Sequence, residues 1–190
     1  MIQGFGQQAT NVTDWSNSRY SLKTSEELKR KIRLWLGIFI LFLILSGITA
    51  FPLAWEIGIL REWTQQGSLI SNLAPGLTSW IGNVHEGIRD TYSKYPFMAY
   101  GTDWLAFAHI VIAIVFIGPL KDPVKNIWVI ESGMIACVLV IPLALICGQI
   151  RGIPLSWRLI DCSFGVFGFI PLWVSYHYTK ELERKLLTSR

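Results

Sequence analysis

The sequence predicts an all-α integral membrane protein, a bundle of four transmembrane helices with both termini on the cytoplasmic side. An amphipathic helix is expected outside the membrane, between spans one and two. Three observations lead there. Four apolar runs are long enough to cross the hydrocarbon of a bilayer. Lysine and arginine gather beside alternate ends of those runs. Tryptophans mark the boundaries: Trp35, Trp128 and Trp173 near inner ends, Trp55, Trp104 and Trp157 at outer ends. The bulk composition agrees, with 52% of 190 residues hydrophobic and only 16% charged, low for a water-soluble domain. Mean hydropathy is +0.41.

The first segment, residues 1–33, is polar and holds no apolar run near Met1 that would serve as a cleavable signal. From Ser25 a charged helix is expected to lead into the membrane. Ser25 is its N-cap, and Glu26 and Glu27 stand in its first turn, where the helix dipole favours acids. Span one covers about 34–55 and, without a cleavage site ahead of it, would act as an uncleaved signal anchor. It ends at Phe51-Pro52.

Residues 56–100 form the one sizeable segment between spans. Leu77, Trp80, Ile81, Val84, Ile88 and Tyr92 recur at helical spacing, with Pro75 and Pro96 bracketing them. That helix is too polar to span, so it is expected on the outer surface or capping the bundle. Its other face carries His85, Glu86, Arg89 and Asp90, an ordinary solvated face.

Span two covers about 102–119 and span three about 127–149. The short connection between them implies an antiparallel hairpin. A second short connection joins span three to span four, about 158–177, implying a second hairpin. Pro142 and Pro171 fall inside spans and should kink them. Residues 179–190 form a charged cytoplasmic tail. With this topology twelve of the 17 Lys and Arg lie inside, and both termini are cytoplasmic by the positive-inside rule. A bacterial inner membrane is the expected location.

The net charge of +4 does not point to nucleic acid, because the basic residues form no aromatic-interleaved patch. Three cysteines, Cys137, Cys147 and Cys162, contain no CxxC pair; buried structural thiols are expected, with a Cys147–Cys162 pair across one short loop as the alternative. No HExxH is present. His109 and His177 differ in depth by about 15 Å at 1.5 Å rise per residue, which disfavours a bis-histidine haem. No cofactor and no metal are expected.

The informative residues are the ionisable groups inside the spans, since a charge there is costly and normally faces the bundle interior in a pair. Asp103 opens span two, within Tyr100-Gly101-Thr102-Asp103-Trp104. His109 follows on a small polar stripe with Thr102, Ala106 and Ala113. Arg158 and Asp161 stand three residues apart at the outer end of span four, above Gly165 and Gly168. An Arg158 fork on Asp161 or Asp103 would make those carboxylates tolerable and floor an outward-facing pocket. Glu131, near the inner end of span three, meets no basic residue at its depth in any span. It is expected to be protonated, to snorkel, or to bond Tyr176 or His177.

Asp103, His109, Glu131, Arg158 and Asp161 are therefore the candidate ligand contacts. The leading expectation is an accessory subunit or a binder of a lipophilic ligand, with the lipid bilayer, other membrane subunits or a lipophilic small molecule as partners. The alternative is a membrane enzyme acting on a lipid or quinone by proton transfer through Asp103, His109 and Asp161.

Overall fold

The computed structural model describes residues 5–65 and 67–188, with side chains from Thr24 onward. Among the described residues every regular element is a helix: α1 (Phe5–Ala50), α2 (Leu53–Trp63), α3 (Leu69–Leu73), α4 (Pro75–Lys94), α5 (Tyr100–Val115), α6 (Ile117–Lys121), α7 (Ile127–Ile150) and α8 (Leu155–Thr188). A 3₁₀ turn, Pro96–Ala99, joins α4 to α5. Four stretches are long and apolar enough to cross a membrane: Thr24–Ala50, Pro96–Lys121, Ile127–Ile150 and Leu155–Thr188.

Breaks between helices follow local chemistry. Proline disfavours the α conformation in the residue before it, and the chain turns at Phe51-Pro52, Ala74-Pro75 and Tyr95-Pro96. Pro75 then starts α4, where its missing N–H costs nothing. Ser68 caps α3 by accepting the Ser71 N–H at 3.1 Å. The α6–α7 connection is tied by Asn126, whose amide donates to the carbonyls of Gly118 and Asp122. At the far end of α7, Gly152 adopts a left-handed φ of 69°. The Ile153 N–H reaches back to the Gly148 carbonyl and the Gly152 N–H to that of Gln149, closing a Schellman motif. Helices α7 and α8 run on through Pro142 and Pro171 without interruption.

Two expectations at the ends of the spans are corrected. Ser25 is not an N-cap: α1 is already helical ahead of it, and Ser25 is buried. The charged stretches before span one and after span four are parts of α1 and α8, packed together. Leu28, Ile32 and Leu36 of α1 share a buried cluster with Phe39, Phe116, Ile130, Cys137, Leu172 and Leu182. Lys31 Nζ lies 5.3 Å from the centre of the Tyr178 ring. At 1.5 Å per residue α1 is about 70 Å long, more than twice a hydrocarbon core.

The order of neighbours also departs from expectation. Helix α5 packs on α1, α1 on α8, and α8 on α7. Helices α5 and α7, expected side by side, share no extended face; Phe116 at the end of α5 reaches Gly133 of α7 near their connection. A short loop constrains only the two helix ends it joins. The long faces are chosen by fit, and here glycines set the close approaches. A Cβ on Gly47 would lie 3.0 Å from the Ala106 carbonyl of α5, and one on Gly165 would meet the Cys137 carbonyl of α7. Phe39 and Phe116 stack at 4.7 Å and 55° where α1, α5 and α7 converge.

The stripe on α4 is real but covered. Ile81 is buried and the other stripe residues half-buried, because α4 packs on α2, whose Ile57 is buried in return.

Candidate functional site

The ionisable residues of the apolar helices fall into three places rather than one. His109 belongs to the α1–α5 seam. Its neighbours on the small stripe, Ala106 and Ala113, are buried, and the His109 Cβ stands 3.1 Å from where a Gly47 Cβ would be. Ala106 and Ala113 thus serve contact with α1. His109 Nδ1 lies 2.8 Å from the Leu105 carbonyl one turn earlier. A carbonyl only accepts, so Nδ1 carries a proton and donates. Asp103, in the first turn of α5, makes no hydrogen bond or ion pair among the described residues. Thr102 beside it donates to the Ala99 carbonyl at 2.7 Å.

Glu131 stands at the opposite end of the molecule. Neither Tyr176 nor His177 hydrogen-bonds it; His177 Nδ1 is 3.0 Å from the Trp173 carbonyl. Lys180, from the extension of α8 beyond the apolar stretch, has its pKa raised chiefly by its hydrogen bond to Glu183, with Glu131 the smallest contributor. Lys180 itself donates to Glu183 at 3.1 Å.

Arg158 and Asp161 lie together at the Gly148 end of the α7–α8 pair, but they form no salt bridge. The expected Arg158 fork on Asp161 or Asp103 is therefore corrected. The stem of Arg158 is pressed into the notch left by Gly148, where an added Cβ would sit 2.5 Å from Arg158 Cδ. Its Nη1 donates to the Leu145 carbonyl at 3.2 Å, and its Nε is buried without a partner. The notch explains the choice: with no side chain on Gly148, the arginine gains close packing on α7 and turns away from its own helix. Asp103 is out of reach on α5, with α1 between that helix and α8.

Asp161 instead lines an open groove of about 270 Å³ between α7 and α8. Val140, Leu143, Ala144 and Ile153 make its walls, and Arg151, just past the end of α7, stands at the same groove. Asp161 accepts no hydrogen bond and has no ion pair among the described residues, and Arg151 has none either. All three thiols are free, but the expectation that they are buried holds only for Cys137: Cys147 is exposed on the groove, and Cys162 is half-buried with its sulfur 3.9 Å from the Ile141 carbonyl.

If Arg158 and Asp161 are uncoupled, replacing both costs the sum of the separate costs. A double-mutant cycle with Arg158→Met and Asp161→Asn, read by unfolding in one detergent, should give a coupling below about 0.5 kcal/mol. A coupling well above that value would restore the ion pair.

One polar constellation went unread in the sequence. Arg61 of α2 places Nη1 2.9 Å from His85 Nδ1 and 3.4 Å from Glu86 Oε1 on α4. Arginine only donates, so His85 Nδ1 is the acceptor and the ring is neutral, with its proton on Nε2. On the same α2, burial holds the Glu56 carboxyl above its ordinary value. This contact fastens α2 to α4. The missing signal was the helix Leu53–Trp63 itself, which brings Arg61 opposite His85.

Among the described residues no group of three or more His, Cys, Asp or Glu side chains is placed to hold a metal ion. Comparison with protein-family models, curated proteins and solved structures finds no match to this chain.

Proposed function

We propose that this is a multi-pass protein of the bacterial inner membrane, with both termini cytoplasmic and α2–α4 on the outer side. In this reading it acts as an accessory subunit or as a binder of a lipophilic ligand. One observation carries it: the four apolar helices bury little of themselves in one another. In the most apolar stretch of α7 only 11% of residues are buried, and Leu139, Leu143 and Ile146 are each 60% exposed. Surfaces of that kind are covered by lipid or by other membrane helices.

Proton transfer by Asp103, His109 and Asp161 acting together finds less support. General acid–base work needs its groups within hydrogen-bond reach or one water of the reacting atoms. His109 lies in the α1–α5 seam and Asp161 in the α7–α8 groove, on helices without a shared face.

Two measurements test the reading. Thiol labelling of single-cysteine variants should find positions near Lys31, Asp122 and Lys185 on the cytoplasmic side, and positions near Glu86 and Gly152 outside. Labelling of Asp122 and Gly152 positions from one side would overturn the topology. Purification in mild detergent followed by native mass spectrometry should retain a partner subunit or a lipid in fixed ratio. Turnover of a retained lipid or quinone, lost on His109→Ala, would replace the binding reading with the enzymatic one.

A further inference from the structure

The α7–α8 groove contains two opposite charges that the described part of the chain leaves unmatched, on walls that are otherwise aliphatic. Asp161 has no partner there, because Arg158, the cation nearest to it in sequence, is committed to the Leu145 carbonyl and to the notch at Gly148. Arg151 is exposed at the same groove and forms no ion pair among the described residues. A carboxylate in an apolar groove is costly unless an ion or hydrogen-bond donor meets it. A simple anion on Arg151 would leave Asp161 unmatched, and a simple cation on Asp161 would leave Arg151 unmatched. A ligand carrying both charges satisfies both residues that line the groove.

We propose that this groove is a headgroup site for a membrane phospholipid whose phosphate is followed by a primary ammonium, with Arg151 taking the phosphate and Asp161 the ammonium. The inference rests on the membrane reading above and gives its lipophilic ligand a chemical class.

Size and wall chemistry narrow the class. At about 270 Å³ the groove is below the usual range for a whole drug-sized ligand, roughly 300–1,000 Å³, so it suits a headgroup whose chains stay in the bilayer. Arginine matches phosphate oxygens with its planar fork of donors. A primary ammonium gives Asp161 charge-assisted hydrogen bonds, which a quaternary ammonium cannot. Choline-type groups are held instead by the faces of aromatic rings, and among the described residues no aromatic side chain lines this groove. The acyl chains have a path as well. Val140 and Leu143 continue the wall down α7 toward its middle, and Leu143 is 60% exposed on the surface where lipid would lie.

The test uses the full chain, delipidated in detergent and offered phosphatidylethanolamine, phosphatidylcholine and phosphatidylglycerol with identical acyl chains. Native mass spectrometry should show phosphatidylethanolamine retained about tenfold over the other two, equivalent to about 1.4 kcal/mol. Asp161→Asn should abolish the preference over phosphatidylglycerol while leaving phosphatidylglycerol binding intact. Arg151→Gln should weaken all three. Should either variant fail to fold, wild-type Cys147 reports the same site: phosphatidylethanolamine should slow its maleimide labelling and phosphatidylglycerol should not. Equal retention of the three lipids by wild-type protein overturns the proposal. So does a preference that survives Asp161→Asn, or Cys147 labelling indifferent to headgroup. A chain that does not enter detergent micelles or lipid discs refutes the membrane reading itself. A chain that enters them and shows no headgroup preference refutes the headgroup site alone.

Discussion

Gly165→Ala should be among the most damaging single-methyl changes in the chain. A Cβ at Gly165 would lie 2.5 Å from the carbonyl oxygen of Cys137 and 3.6 Å from Val140 Cβ. The obstacle is a helix backbone, which has no rotamer to move to, so α7 and α8 must separate along their crossing. Overpacking of this kind costs typically about 1–3 kcal/mol. Alanine is favoured over glycine inside a helix by about 1 kcal/mol, which offsets part of the loss and does not reverse its sign. Gly37→Ala is the matched control, because nothing lies within 4 Å of a Cβ there. It gains the propensity without the clash, so it should be neutral or slightly stabilising. Unfolding of both variants in the same detergent decides the matter. Equal stability would mean that α7 and α8 do not cross at Cys137. Gly168→Ala should fall between them, since its Cβ would meet the Cys137 sulfur at 3.0 Å rather than a carbonyl.

That crossing marks the boundary of what the sequence discloses. The four apolar stretches were legible because hydropathy adds over twenty or more residues, and proline writes its own stops at Pro52, Pro75 and Pro96. Neighbour order was not legible. It depends on which glycine meets which carbonyl across a seam, as at Gly47 and Gly165, and a hydropathy profile contains no such pairing. The candidate site divided the same way. Asp161 stood out as a charge in an apolar run, which is a local property of the chain. The partner of Arg158 did not, because it is a backbone carbonyl, Leu145, reached only through the space that Gly148 leaves. Helix α2 was missed because its eleven residues follow a span directly, so the Arg61–His85 contact it makes was invisible with it.

The second large effect is expected outside the apolar stretches. Beyond Tyr178, α8 carries Lys180, Glu181, Glu183, Arg184 and Lys185, a composition that belongs in water. Leu182 in the midst of them is 1% exposed, in one cluster with Leu28 and Ile32 of α1, which are 4% and 0% exposed. Thr179 is fully buried one turn earlier and donates to the Ser175 carbonyl at 2.7 Å. Inside a bilayer an apolar side chain that loses its neighbours finds lipid, so packing alone is at stake. In water it finds water, and the transfer free energy is lost along with the packing. Leu182→Ala should therefore cost about 2–5 kcal/mol, the range for truncating a buried leucine in an aqueous core. Leu187→Ala, at a position 66% exposed on the same helix, should stay within about 0.5 kcal/mol. Amide hydrogen exchange reads the difference where it arises. In Leu182→Ala the amides of Leu28–Ile32 should lose protection together with those of Thr179–Leu182, because each segment is the other's cover. Protection of Leu28–Ile32 left unchanged by Leu182→Ala would mean that the two charged extensions stand apart, each held by its own helix alone.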